Sequence, residues 1–443
     1  MTTATSPRAP RVARRGLARR LAIDLSPLRV PAYRRLWLGN TVAMFGFQVT
    51  AVAVPVEMYA LTRDSLWVGL LGVASFVPLL VFGLWAGAVA DARDRRQVLL
   101  TGSVLLWLSM LGLLGQALLD VGSPVLLLTL VTLHSVAFAI SSPARSAALP
   151  RILPPELLPA AMTLNFTTFT AASVVGPLAA GVIFAAWGTG AGLPIAYGLD
   201  VVLFLGLIVA TLRLPAMPPA TTTAGAAVRS GLAGVLDGLR YLTTTPVLLL
   251  SFGIDLIAMI LAMPRALFPE IAVERFGGGA AVGWLYSAMA IGAMFAGLTS
   301  GWIGRMQRQG RALVLAVLAW GAVIALAGLA RQLWLMVLLL ALAGMADLVS
   351  AVLRQSMLLV HAPDEMRGRL QGVNLVVVAG GPRLGDLRAG AMAGAGGAGL
   401  AWIAGGLGAV VLTALLALTF PALWRYRPGT VGEPRPSGKR DGG

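Results

Sequence analysis

The sequence predicts an all-α membrane protein with twelve transmembrane helices in two parallel-repeat halves of six helices. Hydrophobic residues make up 58% of the 443 positions and charged residues only 12%, whereas a soluble domain is about 25% charged. Apolar runs of about 20 residues, each long enough to cross a bilayer, recur along the chain. The two halves of the sequence also match each other at a fixed offset. These three observations carry the prediction.

The apolar runs give twelve predicted spans, numbered here in chain order. Their ranges are 35–61, 66–90, 97–118, 124–148, 159–187, 193–213, 246–269, 281–303, 311–330, 333–358, 370–394 and 399–424. Residues 34–213 and 246–424 form the two halves. The polar linker 214–245 contains "VRSGLAGVLDGLRYL", a pattern typical of an amphipathic helix on a membrane surface. The basic residues 1–33 and the polar residues 425–443 are predicted to be disordered cytoplasmic tails.

The distribution of arginine predicts how the spans are oriented. One end of the bundle carries most of the arginines, including Arg95, Arg96, Arg151, Arg308 and Arg367, whereas the other end carries few. Because cytoplasmic loops are enriched in arginine and lysine, the arginine-rich end is expected to face the cytoplasm. An even number of spans then places both termini inside. The protein is expected to be a multi-pass protein of the cytoplasmic membrane, in contact with the lipid bilayer.

Composition also excludes several functions. The net charge of +16 comes from basic loops and tails between apolar runs, so no nucleic acid partner is expected. The chain has no cysteine and only two histidines, His134 and His361, which argues against a metal site. It also lacks the G-x-x-x-x-G-K-[ST] loop that cradles nucleotide phosphates. No nucleophile triad is present, so neither an enzymatic activity nor a cofactor is expected.

An internal repeat relates the two halves. Arg145 in span 4 and Arg354 in span 10 are 209 residues apart (354 − 145). At that offset, and without a gap, "GPLAAG" of span 5 aligns with "GDLRAG" of span 11, with four of six positions identical. The alignment puts the charged stretch "GPRLGDLRAG" (381–390) inside span 11, with Asp386 in the place of Pro177. Parallel repeats are typical of transporters, whose substrates bind between the halves.

Ionisable residues inside the spans are the candidate binding residues, because a charge at the bilayer centre costs about 3 kcal/mol unless a partner or cavity compensates it. The candidates for substrate or proton binding are Glu57, His134, Asp255, Asp347, Arg354, Arg383 and Asp386. Structural roles remain open for each: the acids can pair with arginine or cap helices, and His134 can bond a backbone carbonyl. Arg383, Asp386 and Arg388 either close against span 2 or span 10, or take part in gating. Candidate aromatic cavity walls are Phe166 and Phe169 in span 5 and Trp284 and Tyr286 in span 8.

The loop between spans 2 and 3, "GAVADARDRR" (87–96), resembles the signature G-x-L-A-D-R-x-G-R-K/R of the major facilitator superfamily. The matching residues are Gly87, Asp91, Arg95 and Arg96, whereas Ala92 and Asp94 depart from the usual arginine and glycine. The resemblance implies a cytoplasmic gate that latches the halves in the outward-facing state. It also implies that spans 1, 4, 7 and 10 line a central cavity.

Further segments resemble one branch of that superfamily. Gly176, Pro177 and Gly181 are similar to the exporter motif G-P-x-x-G-G, although a Gly-Pro pair is also a plain kink device. "SSPARSAALPRILP" and "PDEMRGRLQG" resemble the enterobactin-exporter-like branch, which also includes drug exporters. The resemblance implies a monomeric secondary active exporter that moves a siderophore or amphipathic small molecule by alternating access, with proton antiport. A broad multidrug efflux pump for macrolide-like or cationic drugs remains an alternative, and a membrane sensor or enzyme a further one.

Overall fold

A computed structural model describes residues 24–92, 94–218, 232–363 and 366–427. Every regular element in these ranges is a helix. Most of the predicted tails, residues 219–231 of the linker, Arg93 and residues 364–365 lie outside the described residues. The side chains of 84–92, 232–235 and Gly304 lie outside them as well.

The first half begins with four separate helices, which are spans 1 to 4: Pro31–Thr62, Ser65–Ala92, Arg95–Leu118 and Pro124–Ile152. Spans 5 and 6 follow as one long helix, Leu158–Leu212, with a sharp kink at Gly188. The backbone there has φ 66° and ψ −172°, a conformation that glycine adopts without a steric penalty. The kink divides the helix into arms of 158–187 and 189–212, which correspond to the two predicted spans.

The second half follows the helix Leu232–Thr244, which lies where the linker is predicted to form an amphipathic helix. Spans 8 to 12 are the helices Ala280–Leu298, Gln309–Leu329, Leu333–His361, Arg367–Gly396 and Ala398–Thr419. Short 3-10 turns and the helix Pro421–Arg425 complete the described chain. Span 8 is shorter than predicted because its last residues form the 3-10 turn Ser300–Arg305.

Span 7 differs most from its prediction. Instead of one helix over 246–269, it consists of Pro246–Ala262, a 3-10 turn at Arg265–Leu267 and a second helix, Phe268–Phe276. Pro264 favours this break, because a proline disfavours the helical conformation of the residue before it, and Met263 has an extended backbone with φ −74° and ψ 116°. Non-helical backbone inside a membrane is tolerated where protein or a cavity surrounds it.

The described helices confirm the all-α membrane fold with twelve spans. Ten helical segments are individually long and apolar enough to cross a membrane. One of them contains both span 5 and span 6, so these ten segments account for eleven spans. The twelfth span is Arg367–Gly396, whose arginines and aspartate lower its hydropathy. The charged stretch 381–390 is therefore helical and belongs to span 11, as the repeat predicts.

The two halves have equivalent packing. Span 1 packs on spans 5 and 6, span 2 on span 4, and span 3 on spans 4 and 6. Six spans later, span 7 packs on spans 11 and 12, span 8 on span 10, and span 9 on spans 10 and 12. Each contact in the first half thus has its counterpart in the second, in agreement with the sequence repeat.

The halves meet along two seams, one between spans 2 and 11 and one between spans 5 and 8. Glycines allow both approaches: a Cβ atom would lie 2.6 Å from the Asp386 carbonyl oxygen at Gly69, and 2.5 Å from the Pro177 carbonyl oxygen at Gly283. Both seams lie near the arginine-poor end, which we define as the end where spans 1 and 2 join at residues 62–65. The bundle is therefore closed at this end.

The opposite, arginine-rich end is open. Met162 and Phe166 lie on the same face of span 5 as Phe169, and they are 67% and 65% exposed. Leu375, two turns before Arg383 on span 11, is 68% exposed. Met162 and Phe166 continue the face of Phe169, which lines a cavity between the halves, and the main contacts between the halves lie at the two seams. We therefore infer a cleft that runs from the arginine-rich end toward these seams.

Candidate functional site

A cavity of about 460 Å³ lies between the two halves. Its wall comes from spans 1 to 5 of the first half and from the break in span 7, span 8 and span 11 of the second. Six residues predicted as site or motif residues line it: His134, Phe169, Pro177, Tyr286, Arg383 and Asp386. The volume is in the usual range for a small-molecule pocket.

The other predicted site residues lie outside this wall. Phe166 lies on the same face of span 5 as Phe169 but is not part of the wall, and Trp284 of span 8 is not part of it either. Glu57, Asp255, Asp347 and Arg354 are also absent from the wall, and no residue of span 10 contributes to it. The lining by spans 1, 4 and 7 agrees with the family pattern, whereas the pattern did not include spans 2, 3, 5, 8 and 11 and wrongly included span 10.

The break in span 7 brings the charges of span 11 into a polar cluster. Asp386 is 6% exposed, and its Oδ1 atom accepts a hydrogen bond of 3.1 Å from the backbone N–H of Ala266. The Tyr286 hydroxyl donates to the carbonyl oxygen of Arg265 at 3.3 Å. Arg265 and Arg383 also line the cavity at this point. Asp386 thus caps backbone that the break leaves without a helical partner.

Arg388 lies on another face of span 11 and reaches toward span 12. Its Nη1 atom is 3.1 Å from the sulfur of Met392. A Cβ atom at Gly405 would be only 2.6 Å from Nη2, so only a glycine leaves room for the guanidinium there. Arg388 therefore packs inside the second half and does not extend to the membrane surface.

His134 lies in the wall opposite this cluster. Its ring stacks on Phe47 with a centroid distance of 6.0 Å and an interplanar angle of 12°. Its Nδ1 atom is 3.0 Å from the Ser109 hydroxyl, and that hydroxyl donates its own hydrogen to the Leu106 carbonyl oxygen at 2.6 Å. A hydroxyl has one hydrogen, so we infer that Nδ1 carries the imidazole hydrogen and Nε2 is an acceptor.

Glu57 is buried inside the first half. It accepts a hydrogen bond of 2.9 Å from the Gln116 side chain and one of 2.5 Å from the Tyr197 hydroxyl. These bonds join spans 1, 3 and 6. The contacts are those of a structural carboxylate, which is one of the two roles that the sequence left open.

Two equivalent polar pairs occupy the two halves. In the second half, Arg354 forms a buried salt bridge with Asp255. In the first half, Arg145 donates to the Oδ1 atom of Asn40 at 2.7 Å. Both pairs join the fourth helix of a half to its first helix, so the amide of one half stands where the other has a carboxylate. The charges of Arg354 and Arg265 also act on Asp347.

Asp200 in span 6 is a buried carboxylate with no charged partner in the described residues. It is fully buried, and neither of its oxygens has a hydrogen-bond partner within the described residues. Gly46 of span 1 covers it so closely that a Cβ atom would lie 2.6 Å from Oδ1. The hydroxyl of Thr50 lies beside the carboxyl, and Thr50 also lines the cavity.

The predicted gate motif is only partly described. Gly87 and Asp91 belong to the helix of span 2, but their side chains lie outside the described residues. Arg95 donates to the Ala147 carbonyl oxygen at 3.3 Å, and Arg96 to that of Leu212 at 2.6 Å. These partners belong to the same half, so the proposed latch between halves stays a prediction. Asp94, the departure from the usual glycine, caps span 3 by accepting from the Arg96 N–H at 2.8 Å.

The exporter-type motif lies at the seam between spans 5 and 8. Gly176 packs directly against Gln48 of span 1, and Gly181 packs against Gly283 of span 8. Pro177 is buried and lines the cavity. The motif therefore provides both a close inter-half contact and a kink-prone helix next to the cavity.

Sequence reasoning missed the polar contacts that close the arginine-poor end. The Tyr59 hydroxyl donates to Oε1 of Glu274 at 3.1 Å, and Ser65 donates to Glu270. Both acids lie on the helix Phe268–Phe276 of the second half, and both donors lie in the first half. Two glutamates in one short segment after a proline could have indicated such a contact. In the described residues, no group of three acidic or histidine side chains could hold a metal ion.

Two six-helix halves around a cavity that is closed at one end and open at the other define a membrane transporter. A family model described as "Transmembrane secretion effector" matches residues 22–425. The chain belongs to this family of the major facilitator superfamily. Its members are transporters that move small molecules, and not enzymes.

Named relatives agree with this assignment. The chain is 30% identical over 414 residues to "Enterobactin exporter EntS" of Shigella boydii serotype 18. The matched region covers 91% of this chain and 96% of the relative. The same values hold for the exporter of that name from Escherichia coli O81. Solved structures with a similar fold include the nucleoside transporter NupG (TM-score 0.70, 15% identity, 89% of this chain and 100% of that one). Another is a bacterial homologue of ferroportin in the inward-facing state (TM-score 0.68, 16% identity, 90% and 99%).

Proposed function

We propose that this membrane exporter moves a siderophore or another amphipathic small molecule out of the cell by alternating access. The observation that carries the proposal is the cavity between the two halves, which lies beneath the two seams of the arginine-poor end and continues into the cleft toward the arginine-rich end. The enterobactin-exporter names of the relatives support a siderophore-type substrate. Multidrug efflux remains the second candidate, since aromatic walls such as Phe47 and Phe138 suit many apolar ligands.

The orientation follows from the positive-inside rule. With the arginine-rich end in the cytoplasm, both termini are cytoplasmic and the cleft is open inward. A substrate then enters from the cytoplasm and leaves when the arginine-poor seams open. The proposed location is the cytoplasmic membrane, and the proposed state is a monomer.

We also propose that export is coupled to proton entry through Asp200. A carboxylate without a charged partner is costly to bury in its ionised form, so the neutral, protonated form suits the environment of Asp200. Thr50 separates the carboxyl from the cavity, which gives protons a short route when the helices move. The other buried acids are less suited, because Glu57 accepts two hydrogen bonds and Asp255 is paired with Arg354.

Transport of enterobactin by the purified protein in proteoliposomes tests both the export activity and its coupling to protons. An acidic lumen should drive enterobactin into the vesicles, because protons that leave exchange for substrate that enters. Asp200→Asn, a permanently neutral mimic, should lose this response while it keeps counterflow of labelled against unlabelled enterobactin. Asp120→Asn makes the same change in a loop outside the cavity and should behave as wild type.

The outcomes separate the claims. Wild-type counterflow that ignores the proton gradient would refute the antiport, and an Asp200→Asn variant with a normal gradient response would exclude Asp200 as the proton site. If enterobactin shows no counterflow but macrolides or cationic dyes do, the multidrug function replaces the siderophore function.

A further inference from the structure

Two arginines that line the cavity have guanidinium groups without a hydrogen bond or salt bridge in the described residues. Arg265 comes from the break in span 7 and Arg383 from span 11, and both line the cavity. Neither guanidinium makes a salt bridge or hydrogen bond with another residue in the part of the chain that the structure describes. By contrast, Arg354 and Arg145 are held by partners within their halves. The two cavity guanidiniums are therefore available to a ligand.

The neighbouring carboxylate does not cancel their charge. Asp386 lies one helical turn after Arg383, and both arginines act on it electrostatically. One of its oxygens is already engaged by the Ala266 N–H. Two guanidiniums and one carboxylate therefore line the cavity, whereas Asp347, on which Arg265 also acts, lies outside the wall. An anion bound between the two guanidiniums would be stabilised by charge-assisted hydrogen bonds.

The opposite wall of the cavity has a different chemistry. The first half contributes Phe47, Leu71, Val131, Phe138 and Phe169, together with His134 and several uncharged polar side chains, and no carboxylate or arginine. A ligand that fills the cavity thus meets apolar and aromatic side chains on one half and two arginines on the other. Its charged end and its apolar end would contact different halves, so binding would bridge the two bodies that move in transport.

We propose that Arg265 and Arg383 form the recognition site for the anionic group of an amphipathic, aromatic substrate. Guanidiniums present a planar fork of donors that matches a carboxylate or a similar oxyanion. The inference rests on the proposed transport function for its biological meaning, and it selects anions over the cationic drugs of the alternative function.

A matched pair of probes tests the site by binding alone. We would titrate the purified full-length protein with 2-naphthoate and with 2-naphthylmethylammonium by calorimetry. These probes share an aromatic body and differ in the sign of charge. The naphthoate should bind more tightly. Arg383→Gln and Arg265→Gln should each weaken its binding by about tenfold to hundredfold, the usual loss of a charge-assisted hydrogen bond, and leave the cation unaffected or improved.

The controls keep the result interpretable. Arg331→Gln removes an exposed arginine outside the cavity and should bind both probes as wild type does. Arg383→Lys should recover part of the affinity for naphthoate, and thermal unfolding should confirm that each variant is folded. Equal binding of the two probes, or an unchanged naphthoate affinity in both glutamine variants, would overturn the proposal. Selective naphthoate binding without any transport of enterobactin would support the anion site and refute the proposed siderophore export.

Discussion

At the scale of single residues, each half has an arginine on its fourth helix, but the two arginines have different partners. Arg145 and Arg354 occupy equivalent places, but Arg145 meets the amide of Asn40 and Arg354 the carboxylate of Asp255. The pair in the second half is buried, with Asp255 2% and Arg354 4% exposed. Removing one member of a buried ion pair leaves the other charge without compensation.

We therefore expect Asp255→Ala to destabilise the protein by about 3–5 kcal/mol. The control is Asp237→Ala, which breaks an exposed ion pair with Arg369 (2.9 Å) and should cost at most about 1 kcal/mol. Unfolding in detergent, monitored by circular dichroism against denaturant, measures both. Equal losses of stability in the two variants would show that the buried Asp255–Arg354 pair contributes no more to the free energy of unfolding than the exposed pair.

At the scale of elements, the seam between spans 5 and 8 depends on glycine. Gly283 lies against span 5 so closely that its Cβ atom would be 2.8 Å from the Cα atom of Gly181, which is inside van der Waals contact. A side chain there must push the helices apart at the arginine-poor end. The cavity lies just beneath this seam, so its closure is sensitive to the change.

We expect Gly283→Ala to favour the state that is open at the arginine-poor end. The chain has no cysteine, so one cysteine placed at the cavity residue Ser173 can report access. Labelling by a membrane-impermeant maleimide from the arginine-poor side should rise several-fold in the variant. Gly253→Ala adds a methyl group to a helix position with no atom within 4 Å and should not change labelling; a similar rise in both variants would contradict this account.

Elements also differ in how far the sequence predicts them. The spans follow from hydropathy, and the repeat correctly puts Arg383, Asp386 and Arg388 inside span 11. The break in span 7 was missed because a proline near the end of an apolar run also fits a helix that simply stops. Asp386 could be suspected as a site residue, but its partner Ala266 depends on that break.

The polar closure of the arginine-poor end is less predictable still. Tyr59 and Glu274 are 215 residues apart and meet only through the packing of the two halves. Gly46 and Asp200 are likewise far apart in sequence and meet only when spans 1 and 6 pack, and this contact buries the Asp200 carboxyl. Local sequence patterns such as hydropathy predict where helices begin and end, but they do not predict contacts between residues that are distant in sequence.

At the scale of the whole molecule, the equivalent packing of the halves and their two seams support a rocking motion. The seams at Gly69 and Gly283 act as the closed end in this state, and the cleft is open at the other. Polar contacts such as Tyr59 with Glu274 must break when the arginine-poor end opens. Alternating access requires that one end closes as the other opens.

Paired spin-label distances in proteoliposomes test this central claim most directly. One pair of cysteines replaces Glu156 and Arg308 at the arginine-rich end, and another replaces Asp120 and Arg331 at the arginine-poor end. On addition of enterobactin, we predict that the Glu156–Arg308 distance shortens while the Asp120–Arg331 distance lengthens. Two distances that stay unchanged, or that shift in the same direction, would contradict alternating access by the two halves.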